Sequence, residues 1–190
     1  QNITITITGT NDVPTIGGTA SAGLTETNAA LSTSGTLTVT ELDLSDNVTA
    51  GVQSVARGGT FTGTNPFTDS ALQAMLTVSP TSLLTDATAT NGNLTWNFNS
   101  GTSNNAAFDF LAAGETFILT YNVNVSDGKG GSISQPITIT ITGTNDVPTF
   151  TGTSDTTIQE DVNVSTSGPD RNNLTATGTL TISDADTGQN

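Results

Sequence analysis

The chain has 190 residues, with 3 Lys plus Arg against 17 Asp plus Glu, a net charge of −14, and neither Cys nor His. That charge repels nucleic acid and other polyanions and leaves cations as the natural partners. Without Cys or His there is no disulfide, no thiolate zinc site and no imidazole base, so any metal must be a hard, oxygen-liganded ion.

In chain order, the first element is an alternation of Ile3, Ile5 and Ile7 with Thr4, Thr6 and Thr8. This two-residue period predicts a half-buried strand, and Ile and Thr both favour strands. GTNDVP follows, where Gly, Asn, Asp and Pro end the pairing, so Thr10 to Pro14 is read as a linker. Further strands are predicted at Thr19–Thr25, Gly35–Thr40, Val48–Ala56, Leu76–Ser79, Asn93–Phe98 and Thr116–Ser126, nearly all separated by turn residues. One stretch reads either as a short helical turn carrying Ala71, Leu72, Ala74 and Met75 and capped by Asp69-Ser70, or as a bulged strand. Asn99 to Asn105 reads as a polar loop, and Ala112-Ala113-Gly114 as a turn.

Phe117, Leu119, Tyr121, Val123 and Val125 fall on one face of a strand, after which SDGKGGS turns the chain back into Ile137, Ile139 and Ile141. That is a core hairpin. The last of these strands brings a repetition: ITITITGTNDVPT stands at 3–15 and again at 137–149, a period of 137 − 3 = 134 residues. A period above ~100 residues implies whole domains in a line. The expected organisation is therefore 1–10 as the last strand of a preceding repeat, 11–146 as a complete unit, and 147–190 as the opening of a following repeat. About seven strands with short turns in one unit predict an all-β, Greek-key β-sandwich of immunoglobulin type, arranged in tandem. No apolar run approaches ~18 residues, so no membrane insertion is expected, and no signal-peptide pattern is present, so any export signal belongs to another part of the protein.

The acidic residues gather at strand ends: Asp12 in the first linker, Glu26, Glu41 and Asp43, Asp127 in the last hairpin, and Asp146 in the second linker. Alternate strand ends of a sandwich lie at opposite poles. The first linker, Glu41, Asp43 and Asp127 should converge at one pole, and Glu26 should meet Asn145 and Asp146 at the other. Carboxylates so placed repel one another unless a cation sits among them. Calcium suits such groups, because it takes six to eight oxygens in flexible geometry. Acidic residues also sit in loops for their solubility alone, and the spacing leaves both readings open.

GTLTVTELD at 35–43, NGNLTWNF at 91–98, LAAGETFILTYNVNVSDGKGGS at 111–132 and ITITITGTNDVP together resemble the VCBS repeat, a cadherin-like bacterial module of large secreted RTX-type adhesins. The resemblance implies a calcium-binding linker in NDVP, an Asp-x-Asp-like motif in ELD and an Asp-x-Gly-like hairpin in SDG. It assigns Asn11, Asp12, Glu41, Asp43 and Asp127 to the first junction. Glu26, Asn145 and Asp146, with Asp184 and Asp186 from GTLTISDAD, go to the second. A cadherin linker has further ligands where this chain has Gly9, Gly143, Val13 and Val147, which implies one or two ions per junction rather than three.

The function expected is a calcium-stiffened extender repeat of a secreted adhesin on a bacterial surface. Its partners would be the neighbouring repeats of the same chain, and cell-surface or matrix ligands would be bound through other domains. A carbohydrate- or protein-binding module and a strand-exchanging filament subunit are the alternatives. Trp96, Phe98 and Tyr121 occupy alternating strand positions and are expected in the core rather than on a sugar platform. A Ser or Thr nucleophile would lack a base other than Lys129 or a carboxylate, so no enzyme activity is expected.

Overall fold

The computed structural model describes residues 1–85, 88–102, 107–152 and 178–188. Its strands are β1 (Thr15–Gly18), β2 (Ser21–Thr25), β3 (Ser32–Thr40), β4 (Val48–Gly59), β5 (Leu76–Ser79), β6 (Ser82–Leu84), β7 (Asn91–Asn99), β8 (Thr116–Ser126) and β9 (Ser132–Thr142), followed by β10 (Thr149–Gly152) and β11 (Leu180–Ser183). One helix, α1 (Asp69–Ala74), is capped by the Thr68 side chain, which accepts from the Ala71 amide. No helix among the described residues is long and apolar enough to cross a membrane.

Two sheets face one another, ordered β1-β3-β7-β5 and β2-β9-β8-β4-β6. This distribution, with the opening segment shared between sheets, is the strand order of an immunoglobulin-type sandwich. The shared segment works because the chain changes sheets between β1 and β2. Thr19 still donates to Thr36 O in the first sheet, whereas Ala20 O accepts from Thr138 in the second. β2 then runs parallel to β9, with Ser21 opposite Thr138. Gly18 makes the crossing at φ 119°, and a Cβ there would stand 2.5 Å from Thr36 O.

Inward-facing residues of both sheets build one core. Leu37 and Val39 of β3 meet Leu94, Trp96 and Phe98 of β7, and opposite them lie the alternate residues Phe117 to Val125 of β8 and Ile137, Ile139 and Ile141 of β9. Each fully buried residue of this size contributes about 1.5–3 kcal/mol. The buried polar tips are satisfied: Trp96 Nε1 donates to Thr19 O at 2.8 Å and Tyr121 OH to Leu72 O at 2.9 Å. All three aromatics weighed as a sugar platform are therefore core residues. A bulge in β4 between Val52 and Ser54 is tied to the helix by Gln73, whose amide donates to Val52 O.

The strand expected at Ile3–Thr8 does not form. Residues 1–14 carry no ladder, and Ile3, Ile5 and Ile7 are 87, 79 and 90 % exposed. The identical residues 137–142 lie in β9, hydrogen-bonded to β8 on one side and β2 on the other. A strand is stable only with a partner, and this unit has one slot, which the second copy fills. Two short strands, β1 and β6, are additional to the predicted set within the unit. Of the segment expected as a following repeat, residues 153–177 and 189–190 lie outside the described residues; so do 103–106 of the expected polar loop, in which Ser100 is buried and accepts from the Leu31 amide.

Candidate metal centres at the two poles

At one pole, β3 ends at Thr40 and delivers Glu41, the loop to β4 contributes Asp46, and the β8–β9 turn contributes Asp127. All three are buried, and each brings one carboxylate oxygen into a set lying within 4.8 Å of one another. Glu41 Oε1 accepts from the Leu42 and Asp43 amides at 2.7 and 3.0 Å, which leaves Oε2 buried without a partner. Asp46 Oδ2 is buried and unpartnered in the same way. Asp127 is held from both sides. Its Oδ1 accepts from the Lys129 and Gly131 amides at 2.7 and 2.9 Å, and its Oδ2 from Asn11 Nδ2 at 2.9 Å. The Asn11 amide first, and then the backbone donors, outweigh burial and hold the Asp127 carboxyl below the usual range. The linker crosses beside them, with the Asp12 amide donating to Asp43 Oδ2 at 2.6 Å. An open cleft of about 430 Å³ lies here, lined by Asn11, Asp43, Asp46 and Lys129 among others.

At the opposite pole Glu26 follows β2, Asp109 lies in the connection from β7 to β8, and Asp146 lies in the linker after β9. Their carboxylate oxygens also converge within 4.8 Å. Glu26 Oε1 accepts from the Thr144 amide at 2.7 Å and from its hydroxyl, pinning the start of the linker, while Oε2 is buried without a partner. Asp109 follows Phe108, which is fully buried and has φ 65°, a left-handed conformation uncommon for a bulky residue. The turn thus sends the Phe108 ring into the core beside Phe67 and Phe117. Burial, then the charges of Asp146 and Glu26, raise the Asp109 carboxyl above the usual range.

The loop after β11 closes this pole. Asp186 Oδ2 accepts from the Asp146 amide at 3.1 Å, and Asp184 Oδ1 accepts from the Asp186 amide at 3.0 Å. Asp186 is buried, which with the nearby charges of Asp146, Asp184 and Glu115 raises its carboxyl against the opposing pull of the Asp146 amide.

Among the described residues, the buried side-chain oxygens without a partner are Glu26 Oε2, Glu41 Oε2, Asp46 Oδ2, Asp109 Oδ1, Asp146 Oδ2 and Asp186 Oδ1. Every one is a carboxylate oxygen at a pole. The ion pair found among the described residues, Arg57 with Asp69 at 3.2 Å, serves neither cluster. An oxygen-only donor set with spare, buried, ionisable oxygens fits a hard divalent cation.

The residues expected at each pole do gather there, with different roles. Asp43 spends an oxygen on the Asp12 amide, Asn145 Nδ2 turns to Asp146 O, and Asp184 supports Asp186. The convergent sets include Asp46 and Asp109, which the sequence reading passed over. Asp46 was legible as the third acid of ELDLSD; Asp109, between two phenylalanines, reads as part of an apolar segment.

No protein-family model matches the chain, and no curated protein matches it in sequence. Among solved structures, it aligns with the ASH / PapD-like domain of human CEP192 (PapD-like domain 7) at TM-score 0.41 and 9 % identity, covering 75 % of this chain and 94 % of that one. It also aligns with the periplasmic chaperone SfaE at TM-score 0.37 and 12 % identity, covering 68 % of this chain and 56 % of that one. At these scores neither alignment bears on what the chain binds.

Proposed function

We propose that this chain is a structural repeat of a long extracellular bacterial adhesin, in which calcium bound at the poles of each sandwich fastens it to its neighbours. The observation that supports this reading is the set of six buried, unpartnered carboxylate oxygens, all at the poles. Leaving such groups ionised without a counter-ion costs several kcal/mol, and a cation among them removes that cost. One cluster lies within the sandwich, at Glu41, Asp46 and Asp127. The other spans a boundary, because Asp146 comes from the linker and its amide is held by Asp186 beyond β11.

An ion bound only to the ordered junction stabilises it by RT ln(1 + [Ca]/Kd), about 2.7 kcal/mol at a hundred times Kd. Glu26, Asp109 and Asp146 would hold the linker-spanning ion, which adds to the hydrogen bonds of Thr144 and Asp146 in fixing the connection after β9. The secreted, surface-bound setting rests on the resemblance to VCBS repeats. The high negative charge keeps such an array soluble and extended. Thermal unfolding of the chain in millimolar calcium and in EDTA tests the reading. Calcium should raise the midpoint, and Asp46→Ala or Asp146→Ala should shrink the rise; an unchanged midpoint would remove the ions and leave a packing spacer.

The exposure of Ile3, Ile5 and Ile7 favours a second reading, strand exchange between copies. Sedimentation in dilute solution separates the two, since exchange polymerises the chain and an extender stays monomeric.

A further inference from the structure

The loop after β11 is a structural copy of the loop after β3. Ile16 pairs with Val39 in β1–β3, and Phe150 with Ile182 in β10–β11, in the same antiparallel register. The capping hydrogen bonds recur as well. Asp12 N to Asp43 Oδ2 at 2.6 Å matches Asp146 N to Asp186 Oδ2 at 3.1 Å, and Asp43 N to Glu41 Oε1 at 3.0 Å matches Asp186 N to Asp184 Oδ1 at 3.0 Å. The loops are therefore related by 186 − 43 = 143 positions, which sets Leu44 against Thr187 and Leu42 against Ala185.

The second of these loops touches the sandwich, with Asp186 buried and Ala185 and Thr187 still exposed. Thr187 N donates to Phe110 O at 3.2 Å, and a Cβ on Gly63 would stand 2.6 Å from Phe61 Cζ and 3.0 Å from Thr187 Cγ2, so Gly63 leaves room for the Phe61 ring and the Thr187 methyl where they meet. An aromatic layer lies beneath, with Phe61 and Phe110 centroids 5.0 Å apart and Phe61 and Phe117 6.0 Å apart. At the first loop Leu42 and Leu44 are 65 and 45 % exposed, beside Val13 of the linker at 53 %.

We propose that Phe61, Gly63 and Phe110 form an apolar socket for the loop of the following unit, and that Leu44, flanked by Leu42, is the plug this unit offers to the same socket on a preceding copy. The proposal rests on the tandem reading but not on the ions, because the contact is apolar and backbone-mediated. Each junction then has two fasteners, a cation cluster and a plug. An acidic array would keep some order between its units when calcium is withdrawn.

Grafting the plug onto the loop after β11 tests this in the intact chain. With Thr187→Leu, alone and with Ala185→Leu, backbone amide exchange at position 187 should slow in EDTA by about fourfold for each methylene-sized group newly buried. Thr187→Asp should speed it. Phe61→Ala should erase the gain from Thr187→Leu, since the two changes meet in one contact. Unchanged or faster exchange in Thr187→Leu, or a gain that survives Phe61→Ala, would overturn the socket. Because every measurement is made in EDTA, its outcome is independent of whether calcium binds. In a protein joining two complete units, Leu44→Asp in the second should broaden the inter-unit distance distribution in EDTA; an unchanged distribution would overturn the plug.

Discussion

Replacing Glu26 by glutamine should stabilise the protein in EDTA and weaken its response to calcium. The carboxylate oxygens of Glu26, Asp109 and Asp146 lie within 4.8 Å of one another. At an effective dielectric constant near 20, each ionised pair at that separation repels by about 3.5 kcal/mol. Asp109 and Asp146 are only half-buried, and solvent screens part of this repulsion, so the net gain expected from Glu26→Gln is smaller, about 1–3 kcal/mol. Glutamine preserves the acceptor that binds the Thr144 amide and hydroxyl, and it brings an NH₂ donor to the position of the unpartnered Oε2. With calcium the sign of its contribution changes, because a charged ligand has become a neutral one. Each tenfold loss of affinity removes up to about 1.4 kcal/mol from the calcium increment. Differential scanning calorimetry in EDTA and at increasing calcium reads both effects, at about 2–4 °C per kcal/mol. A lower midpoint in EDTA, or an undiminished calcium increment, would show that Glu26 is only a hydrogen-bond acceptor.

The pH dependence of stability should differ with and without calcium. In EDTA, Asp109 and Asp186 have folded pKa values raised by burial and then by neighbouring carboxylates, so the folded state binds protons more tightly than the unfolded one. Their contribution is present at low pH and lost as pH rises through the raised values, so the midpoint should climb as pH falls through those values. Asp127 acts oppositely, and its contribution disappears as pH falls through its depressed value. With saturating calcium the climb should vanish, because protons and the ion compete for the same oxygens; a parallel climb in both conditions would contradict this. Ile139→Ala should cost about 2–5 kcal/mol in chemical denaturation, while Ile5→Ala, at the identical position of the first copy, should change stability by less than about 0.5 kcal/mol.

Those two isoleucines also show which parts of the fold the sequence carries and which it does not. Alternation made β8 and β9 legible, since Phe117 to Val125 of β8 and Ile137, Ile139 and Ile141 of β9 form apolar series on the inward face. The same alternation at Ile3–Thr8 predicts a strand equally well, but pairing is a property of the partner, and β8 and β2 are already occupied by 137–142. β1 was invisible for the opposite reason: half of Thr-Ile-Gly-Gly is glycine, and the ladder with β3 imposes its conformation. At the poles, strand ends and linkers predicted which acids would share a neighbourhood. Which oxygens converge depended on loop conformation, and there Phe108's left-handed backbone places Asp109 while Asp43 turns to the linker amide. Such choices follow from packing that a single sequence does not display.

Isothermal titration calorimetry of calcium into the intact chain reads whether the carboxylates at the two poles hold ions. Two classes of site are expected, one removed by Asp46→Asn and the other by Asp109→Asn, with the double variant silent. Absence of binding at millimolar calcium, or binding that survives both substitutions, would contradict this.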